Sequence, residues 1–278
     1  MDGFLNVYKE KGATSHDIVN KIRKIFNTKK VGHTGTLDPN ATGVLVVAVG
    51  KATKLIEYLE NAIKTYEAEL TLGITTDTED IWGNVLTNNK VDVTDEQIVT
   101  AIKSFIGNIK QVPPMYSALK INGKKLYELA REGKVIDRQP RDITIYDIYD
   151  IKINDEKVSF IVKCSKGTYI RTLCKDIGEK LLVGATMSEL KRIEAGSFTI
   201  DSAKKVDDIT ESDLIPINEM IKFMPKIELN ENEESKYING IKIEKDFTDG
   251  EYAVFIKDEF YGIGVIKDKL LKGHKKIL

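Results

Sequence analysis

A short apolar run that directly follows a loop rich in glycine and threonine constrains the fold of this chain most strongly. Residues 45–49, Leu-Val-Val-Ala-Val, are apolar, mostly β-branched and followed by Gly50, so they predict a buried strand. The loop before them, residues 32–44, carries one carboxylate, Asp38, followed by Pro39. A side chain on a tight loop that is braced by a buried strand is well placed to act as a nucleophile or a base. The Asp-Pro pair taken alone has a simpler interpretation as a turn.

The length and composition of the chain predict a globular protein without a membrane span. A chain of 278 residues favours one large domain or two unequal domains, and a hydrophobic fraction of 41% is sufficient for a sizeable core. No apolar run reaches the length of a membrane-spanning helix, and the first residues do not resemble a secretory signal. The two cysteines, Cys164 and Cys174, do not make a disulfide framework, so we expect reduced thiols in a cytoplasmic protein. Three histidines and no Cys-x-x-Cys motif predict no metal site.

The distribution of charge is more informative than its sum. The net charge of −1 argues weakly against a nucleic-acid partner. However, residues 110–141 hold eight basic side chains against three acidic ones, and the last fourteen residues hold five lysines and one aspartate. Segregated basic segments can bind phosphates because the local field matters more than the total charge. A solvated, lysine-rich surface is the alternative interpretation.

The order of the predicted elements indicates an α+β protein. Ser15 is predicted to cap a helix with Ile25 on its apolar face. A capping box that begins at Thr94 predicts a second helix, and the apolar spacing of residues 170–181 predicts a third. Residues 66–72 alternate and predict a half-buried strand. Strands and helices do not alternate regularly, so we expect a mixed, largely antiparallel sheet with flanking helices.

A second, smaller domain is predicted at the C-terminal end. Two prolines interrupt an acidic, irregular stretch that ends at residue 225, which favours a boundary there. Beyond it, residues 252–256 and 261–266 predict the two strands of a hairpin. Short strands over the remaining residues are typical of a small β domain. We therefore expect one domain at 1–225 and another at 226–278.

Residues 32–45, Gly-His-Thr-Gly-Thr-Leu-Asp-Pro-Asn-Ala-Thr-Gly-Val-Leu, resemble the signature of the TruB family of tRNA pseudouridine synthases. In that family the aspartate of Gly-His-Thr-Gly-x-Leu-Asp-Pro is the catalytic residue, which implies a catalytic role for Asp38. The resemblance extends through five further segments of the chain: 64–66, 76–83, 111–120, 164–173 and 190–192. It implies the pseudouridine synthase fold, and the C-terminal residues resemble the small β-barrel RNA-binding domain called PUA.

The resemblance also implies which residues contact the substrate. It assigns substrate binding to His33, Lys54, Tyr66, Tyr169, Arg171 and Leu190. His33 is expected to occupy the space that the target base vacates, and Tyr66 is expected to stack on that base. Arg171 is expected to pair with Asp38, and Leu190 is expected to line the pocket for uracil.

The activity that the resemblance implies is the isomerisation of uridine 55 in the T-loop of tRNA to pseudouridine. The N-glycosidic bond breaks and C5 of the base joins C1′ of the ribose, on a base that has been flipped out of the loop. Asp38 is then the nucleophile, and no metal or cofactor is needed because all bonds change within one nucleotide. The expected partner is the T-arm of tRNA, with no membrane contact, and the chain is expected to be a monomer.

Two other functions stay open on the sequence alone. One is a non-catalytic tRNA-binding chaperone on the same scaffold, which the intact Asp38, Tyr66 and Arg171 disfavour. The other is a hydrolase that uses Asp38 on a small substrate, which the basic segments and the predicted C-terminal β domain disfavour. Formation of pseudouridine in a T-loop transcript would distinguish all three functions.

Overall fold

A sheet of eleven strands forms the centre of the molecule. The structure is a computed structural model, and it describes residues 1–121 and 123–277. The strands up to residue 225 are β1 (Gly3–Lys9), β2 (Val31–His33), β3 (Thr42–Val49), β4 (Lys64–Leu72), β5 (Ile74–Thr76), β6 (Val85–Asn88), β7 (Gly107–Gln111), β8 (Lys120–Ile121), β9 (Lys124–Lys125), β10 (Arg141–Asn154), β11 (Lys157–Cys164), β12 (Ala185–Ala195), β13 (Phe198–Thr199), β14 (Lys204–Lys205) and β15 (Ile215–Pro216). The helices are α1 (Ser15–Ile25), α2 (Ile56–Glu60), α3 (Asp95–Lys103), α4 (Leu126–Arg131), α5 (Ile170–Lys180) and α6 (Ile217–Met220).

The strand order confirms the predicted mixed, largely antiparallel sheet. The central path runs β14-β1-β3-β12-β4-β11-β10-β7, and β2, β13 and β15 pair with β3, β12 and β1. The pairings β1–β14 and β3–β12 are parallel, whereas the other pairings of this sheet are antiparallel. Two small hairpins, β5–β6 and β8–β9, stand outside the sheet. The fold class is therefore α+β, as the irregular element order predicts.

Strand β3 is buried on both of its faces, which explains its continuous apolar sequence. Leu45, Val47 and Val49 lie in a core shared with helices α1, α3 and α5. The intervening residues, Val44, Val46 and Ala48, lie in a second apolar cluster on the opposite face. The predicted buried strand at residues 45–49 is confirmed, and β3 begins directly after the loop that carries Asp38.

The N-terminal cap of α1 differs from the prediction. Thr14 is the N-cap, and it forms a capping box with Asp17. Ser15 lies inside the helix, where its Oγ accepts from the amide of Leu37 at 2.9 Å and donates to the carbonyl of Leu37 at 3.0 Å. The prediction that Ser15 caps α1 was wrong, because a tertiary contact uses its hydroxyl. Ile25, predicted on the apolar face, is 38% exposed.

A second sheet of five strands occupies the C-terminal part of the chain. Its elements are β16 (Lys226–Leu229), α7 (Glu231–Ile238), β17 (Ile243–Glu244), β18 (Gly250–Ile256), β19 (Glu259–Lys267) and β20 (Leu270–Lys276), with strand order β16-β18-β19-β20-β17. Lys257 and Asp258 join β18 to β19 with φ values of 51° and 63°, as a two-residue hairpin turn requires. The predicted hairpin and the small β domain of PUA-like form are confirmed. The division of the chain at residue 225 stays a prediction.

The two sheets share apolar packing. Ala253, Phe260 and Ile263 of the C-terminal sheet belong to the same buried cluster as Phe4 and Val44 of the central sheet. The C-terminal sheet also has a core of its own, formed by Ile227, Leu229, Tyr237, Ile243, Tyr252, Val254, Ile256, Ile266 and Leu271. The second face of β3 therefore lies in an apolar cluster to which both sheets contribute. Within the described residues, no helix is long and apolar enough to cross a membrane.

Candidate active site

The loop that carries Asp38 is held by hydrogen bonds to its backbone. Nζ of Lys9 donates to the carbonyls of Pro39 at 3.0 Å and Ala41 at 2.6 Å. The amide of Gly12 also donates to the carbonyl of Pro39, at 2.9 Å. Together with the contacts of Ser15, these bonds fix the loop while the Asp38 side chain stays 40% exposed. A carboxylate on a fixed backbone, open to one side, can be presented to a bound molecule.

Lys9 is fully buried and is used to hold this loop rather than to face solvent. Burial lowers its pKa from 10.5 to about 8, while the nearby charge of Asp38 acts in the opposite direction. The sequence analysis missed Lys9. Its only signal was a lysine at the end of an apolar strand, where a solvated side chain is the usual interpretation.

Arg171 pairs with Asp38. The Nε atom of Arg171 lies 3.0 Å from Oδ2 of Asp38, and the arginine side chain is only 7% exposed. Its other nitrogens donate to the carbonyls of Thr78 at 3.0 Å and Tyr116 at 2.7 Å. The guanidinium therefore joins the Asp38 loop to two other segments of the chain, 76–83 and 111–120. A planar group with several donors is suited to such multiple contacts.

Asp80 supplies a second carboxylate to the same guanidinium. Its Oδ2 lies 3.6 Å from Nη1 of Arg171, and its Oδ1 accepts from the hydroxyl of Thr78 at 2.7 Å. Burial raises the pKa of Asp80, whereas the hydrogen bond from Thr78 and the charge of Arg171 act to lower it. The sequence analysis gave Asp80 no role, although it lies in the matched segment 76–83. Only the folded structure brings it beside Arg171.

Arg192 is a second buried arginine that contacts the Asp38 loop. It lies opposite Tyr66 in the pairing of β12 with β4, and it is 1% exposed. Its Nε donates to the carbonyl of Val44 at 2.7 Å, and its Nη2 donates to the carbonyl of Gly35 at 3.1 Å. Burial raises the pKa of the Tyr66 hydroxyl, while Arg192 acts in the opposite direction. Arg192 was also missed as a site residue, although segment 190–192 was matched.

Gly43 allows β3 and β12 to approach each other at this point. Its φ is +104°, and a Cβ atom there would lie 2.2 Å from the carbonyl oxygen of Arg192. A side chain at this position would therefore force the strands apart. The glycine of the loop motif is explained by this close approach, which also sets the position of the Arg192 side chain.

His33 lies at the end of β2, two residues before Gly35. Its Nδ1 accepts a hydrogen bond from the amide of Gly35 at 3.3 Å, so the proton of the neutral ring is on Nε2. Burial and the neighbouring charge of Arg192 lower the pKa of the imidazole. His33 is therefore a neutral, half-buried ring beside the Asp38 loop.

Tyr169 and Leu190 lie in two elements near Asp38 and Arg171, at the start of α5 and in β12. The backbone of Tyr169, at the N-terminus of α5, accepts from Nε2 of Gln111 at 3.1 Å and donates to its Oε1 at 2.8 Å. Burial raises the pKa of the Tyr169 hydroxyl. Leu190 is buried in β12 and pairs with Ala68 of β4. The two-point contact fixes the start of α5, and with it the position of Arg171.

Lys54 lies elsewhere. Its Nζ donates to the carbonyl of Lys276 in β20 at 2.6 Å, at the junction between the two sheets. Its assignment to substrate binding stays a prediction, because it does not join the group around Asp38. Among the described residues, no cluster of three or more His, Cys, Asp or Glu side chains could hold a metal ion.

Two protein-family models match most of the chain. The model for the TruB family pseudouridylate synthase (N terminal domain) matches residues 23–170, and the model for the tRNA pseudouridylate synthase B C-terminal domain matches residues 171–220. A protein of Alkaliphilus oremlandii named tRNA pseudouridine synthase B is 46% identical over 282 residues, which are 97% of this chain and 94% of that protein. A protein of Clostridium novyi with the same name is 46% identical over 289 residues, which are 100% of both chains.

Solved structures of similar fold match the chain at lower identity. A chain of the "Crystal Structure of a Cbf5-Nop10-Gar1 Complex" has a TM-score of 0.74 and 28% identity, covering 99% of this chain and 85% of that one. A chain of the "Structure of H/ACA RNP bound to a substrate RNA containing 2'-deoxyuridine" has a TM-score of 0.73 and 26% identity, with the same coverage. The described fold is the pseudouridine synthase fold. On these matches, and on the site they cover, the chain belongs to the TruB family of pseudouridylate synthases and is an isomerase of that class.

Proposed function

We propose that this enzyme converts uridine 55 in the T-loop of tRNA to pseudouridine. The relatives that match the chain over 94% or more of their length carry the name tRNA pseudouridine synthase B. The observation that carries the proposal is the contact of 3.0 Å between Nε of Arg171 and Oδ2 of Asp38, because it orients a half-exposed carboxylate with a buried cation. Such a carboxylate can act as a nucleophile without a cofactor.

The proposed reaction moves the uracil ring on its own ribose. The bond from N1 to C1′ breaks, the ring turns, and a bond from C5 to C1′ forms. The proton on C5 then leaves, and N1 gains one, so atoms and charge balance. Asp38 is the nucleophile in this sequence: its oxygen forms a bond to C1′ of the ribose or to the base as the bond from N1 to C1′ breaks, and that bond to Asp38 breaks again before pseudouridine leaves, which returns the carboxylate. Arg171 keeps the attacking oxygen in position through both halves of the reaction.

The target base must leave the T-loop before it can reach Asp38, because a base within a folded loop is enclosed by its neighbours. The neutral ring of His33 is available to occupy the vacated space. In this proposal Tyr66 stacks on the uracil and Leu190 lines its pocket. The Tyr66 hydroxyl, whose pKa is raised by burial, stays protonated at neutral pH and can take part in a proton transfer.

We further propose that RNA binding is shared between two parts of the chain. Residues 1–225 are the catalytic domain, and residues 226–278 are a PUA-like RNA-binding domain. The basic segment 110–141 and the lysines near the C-terminus contact phosphates of the T-arm, since each such contact adds to affinity through counterion release. One copy of the chain is sufficient for this arrangement, so we propose a monomer without a metal ion.

The experiment is an assay for pseudouridine in a T-arm hairpin transcript, beside a transcript with cytidine at position 55. We expect pseudouridine at position 55 in the first transcript and none in the second. Binding without pseudouridine would favour the chaperone, and neither binding nor pseudouridine would favour a hydrolase of small substrates. Pseudouridine at another position of the transcript would overturn the assignment of uridine 55.

A further inference from the structure

Trp82, the only tryptophan of the sequence, lies in the turn between β5 and β6, beside the Asp38 site. It is 42% exposed. It follows Asp80 by two residues, and the Asp80 carboxylate lies 3.6 Å from the guanidinium that contacts Asp38. The backbone amide of Trp82 donates to Oδ1 of Asp80 at 3.3 Å, so this residue is tied to a side chain that contacts Arg171. Tryptophan is common at binding surfaces and rare on other parts of a protein surface.

The turn does not need the indole ring for its structure. The side chain of Asp80 accepts from the Thr78 hydroxyl at 2.7 Å and from the backbone amide of Trp82 at 3.3 Å. The amide of Ile81 donates to the carbonyl of Met187 at 2.8 Å. A Cβ atom on Gly83 would lie 2.3 Å from Oγ1 of Thr78, so a glycine allows the turn to close. These groups hold the turn through its backbone and its polar side chains.

A lysine stands over the exposed ring. Nζ of Lys11 lies 5.0 Å from the centre of the Trp82 ring, and it also lies 2.8 Å from Oε1 of Glu189. Lys11 precedes Gly12, whose amide donates to the carbonyl of Pro39 in the Asp38 loop. The pair with Glu189 is weak because both side chains are about half exposed, at 47% and 56%. A phosphate could therefore replace the carboxylate of Glu189 beside Lys11.

On the basis of the proposed function, we propose that Trp82 and Lys11 form a binding site for a T-arm nucleotide next to the target uridine. The indole stacks on the base of that nucleotide, and the ammonium of Lys11 contacts its phosphate. Stacking on an aromatic ring accepts any base because every base has a π-face. A cation beside the ring complements the charge of the backbone. The site thus holds the strand that flanks a flipped-out nucleotide.

The single tryptophan makes this site directly measurable in the full-length enzyme. We expect the fluorescence of Trp82 to be quenched when the T-arm hairpin is added, and its quenching by acrylamide to be reduced in the complex. Binding is followed independently by the anisotropy of a labelled hairpin. A titration of free N-acetyltryptophanamide with the same RNA corrects for absorbance by the RNA.

Three variants give a second measurement. We expect Trp82→Ala to raise the KM for the hairpin about tenfold with little change in kcat, as the loss of one stacked base implies. Trp82→Phe should recover most of that loss because it keeps a ring. Leu86→Ala is the matched control, since Leu86 is a 64% exposed apolar residue of the same hairpin. It should leave KM unchanged.

The outcomes separate this inference from the proposed function. A hairpin that binds and is converted to pseudouridine, but leaves the Trp82 fluorescence unchanged and the KM of Trp82→Ala at the wild-type value, would overturn the inference alone. An equal rise in KM for Leu86→Ala would also overturn it, because the effect would then belong to the hairpin in general. A wild-type enzyme that neither binds nor modifies the hairpin would overturn the proposed function and this inference with it.

Discussion

Asp38 and Asp80 share one cation, the guanidinium of Arg171. The nearer atoms are Nε of Arg171 and Oδ2 of Asp38, at 3.0 Å, whereas Nη1 lies 3.6 Å from Oδ2 of Asp80. The two carboxylates differ in exposure, at 40% for the Asp38 side chain and 16% for that of Asp80. Asp38 is therefore the more accessible of the two carboxylates, and Asp80 is the more buried partner of the same cation.

Replacing Asp38 by Asn should abolish turnover. The amide keeps the shape of the side chain but removes the nucleophilic oxygen anion. Affinity for the T-arm hairpin should change little, because phosphate contacts elsewhere supply most of it. Pseudouridine formation and a filter-binding Kd, measured on the same preparation, test this prediction. Turnover within tenfold of wild type would remove Asp38 from the role of nucleophile.

Replacing Arg171 by Lys should lower kcat by about two orders of magnitude, with the Kd for the hairpin little changed. An ammonium cannot reach Asp38 and both carbonyls, of Thr78 and Tyr116, at the same time. Single-turnover kinetics measure the effect, and circular dichroism verifies the fold. Arg23→Lys, a similar change on α1, is the control and should keep the wild-type rate. A near-normal rate for Arg171→Lys would show that the contact with Asp38 does not govern the chemistry.

Replacing Lys9 by Met should loosen the Asp38 loop. The carbonyl of Ala41 would lose its buried donor, which costs about 1–3 kcal/mol, whereas the carbonyl of Pro39 would keep the amide of Gly12. We therefore expect a lower Tm together with a lower kcat. A stable variant with wild-type kcat would show that the other hydrogen bonds are sufficient to fix the loop.

The pH dependence of stability gives a separate test of Lys9. Its pKa in the folded protein is lowered to about 8, from 10.5. Between these two values the unfolded chain binds more protons than the folded one, so this group makes the free energy of unfolding rise with pH. Below pH 8 the contribution of its ionisation to the free energy of unfolding is constant and unfavourable, and it is separate from the hydrogen bonds that Nζ donates. Urea unfolding of wild type and Lys9→Met from pH 7 to 10.5 should show a steeper rise for wild type, and parallel curves would contradict the assignment.

Shortening Phe260 to Ala should destabilise the central sheet as well as the C-terminal one. Phe260 is 8% exposed and belongs to the apolar cluster that contains Phe4 and Val44. The loss should be about 3 kcal/mol, and calorimetry should show one transition with its Tm lowered by about 5–10 °C. Leu270→Ala, at a 38% exposed position of β20, should have a much smaller effect. Two separate transitions, with only one of them shifted, would mean that the sheets unfold independently.

The strand that supports the site was predicted correctly from the sequence, whereas several side chains that surround Asp38 were not. The run at residues 45–49 is decisive because continuous apolar residues are stable only where both faces are covered. Ser15 was misassigned because either of two adjacent hydroxyls can cap a helix, and a distant backbone, that of Leu37, decides between them. Asp80 and Arg192 lie in matched segments, but their partners cannot be predicted from sequence, since Arg171 and Tyr66 become their neighbours only in the folded chain.

The burial of β3 on both faces limits which substitutions the two sheets can accept during evolution. One face of the strand that follows the Asp38 loop lies in the same apolar cluster as Ala253, Phe260 and Ile263 of the C-terminal sheet. A foreign RNA-binding domain joined after residue 225 would remove Ala253, Phe260 and Ile263 from this cluster, and we expect the apolar surface that remains to be more exposed. We expect a larger side chain on one sheet of this cluster to be accompanied by a smaller side chain on the other sheet. RNA recognition and chemistry would then be inherited together, as properties of one cooperative structure.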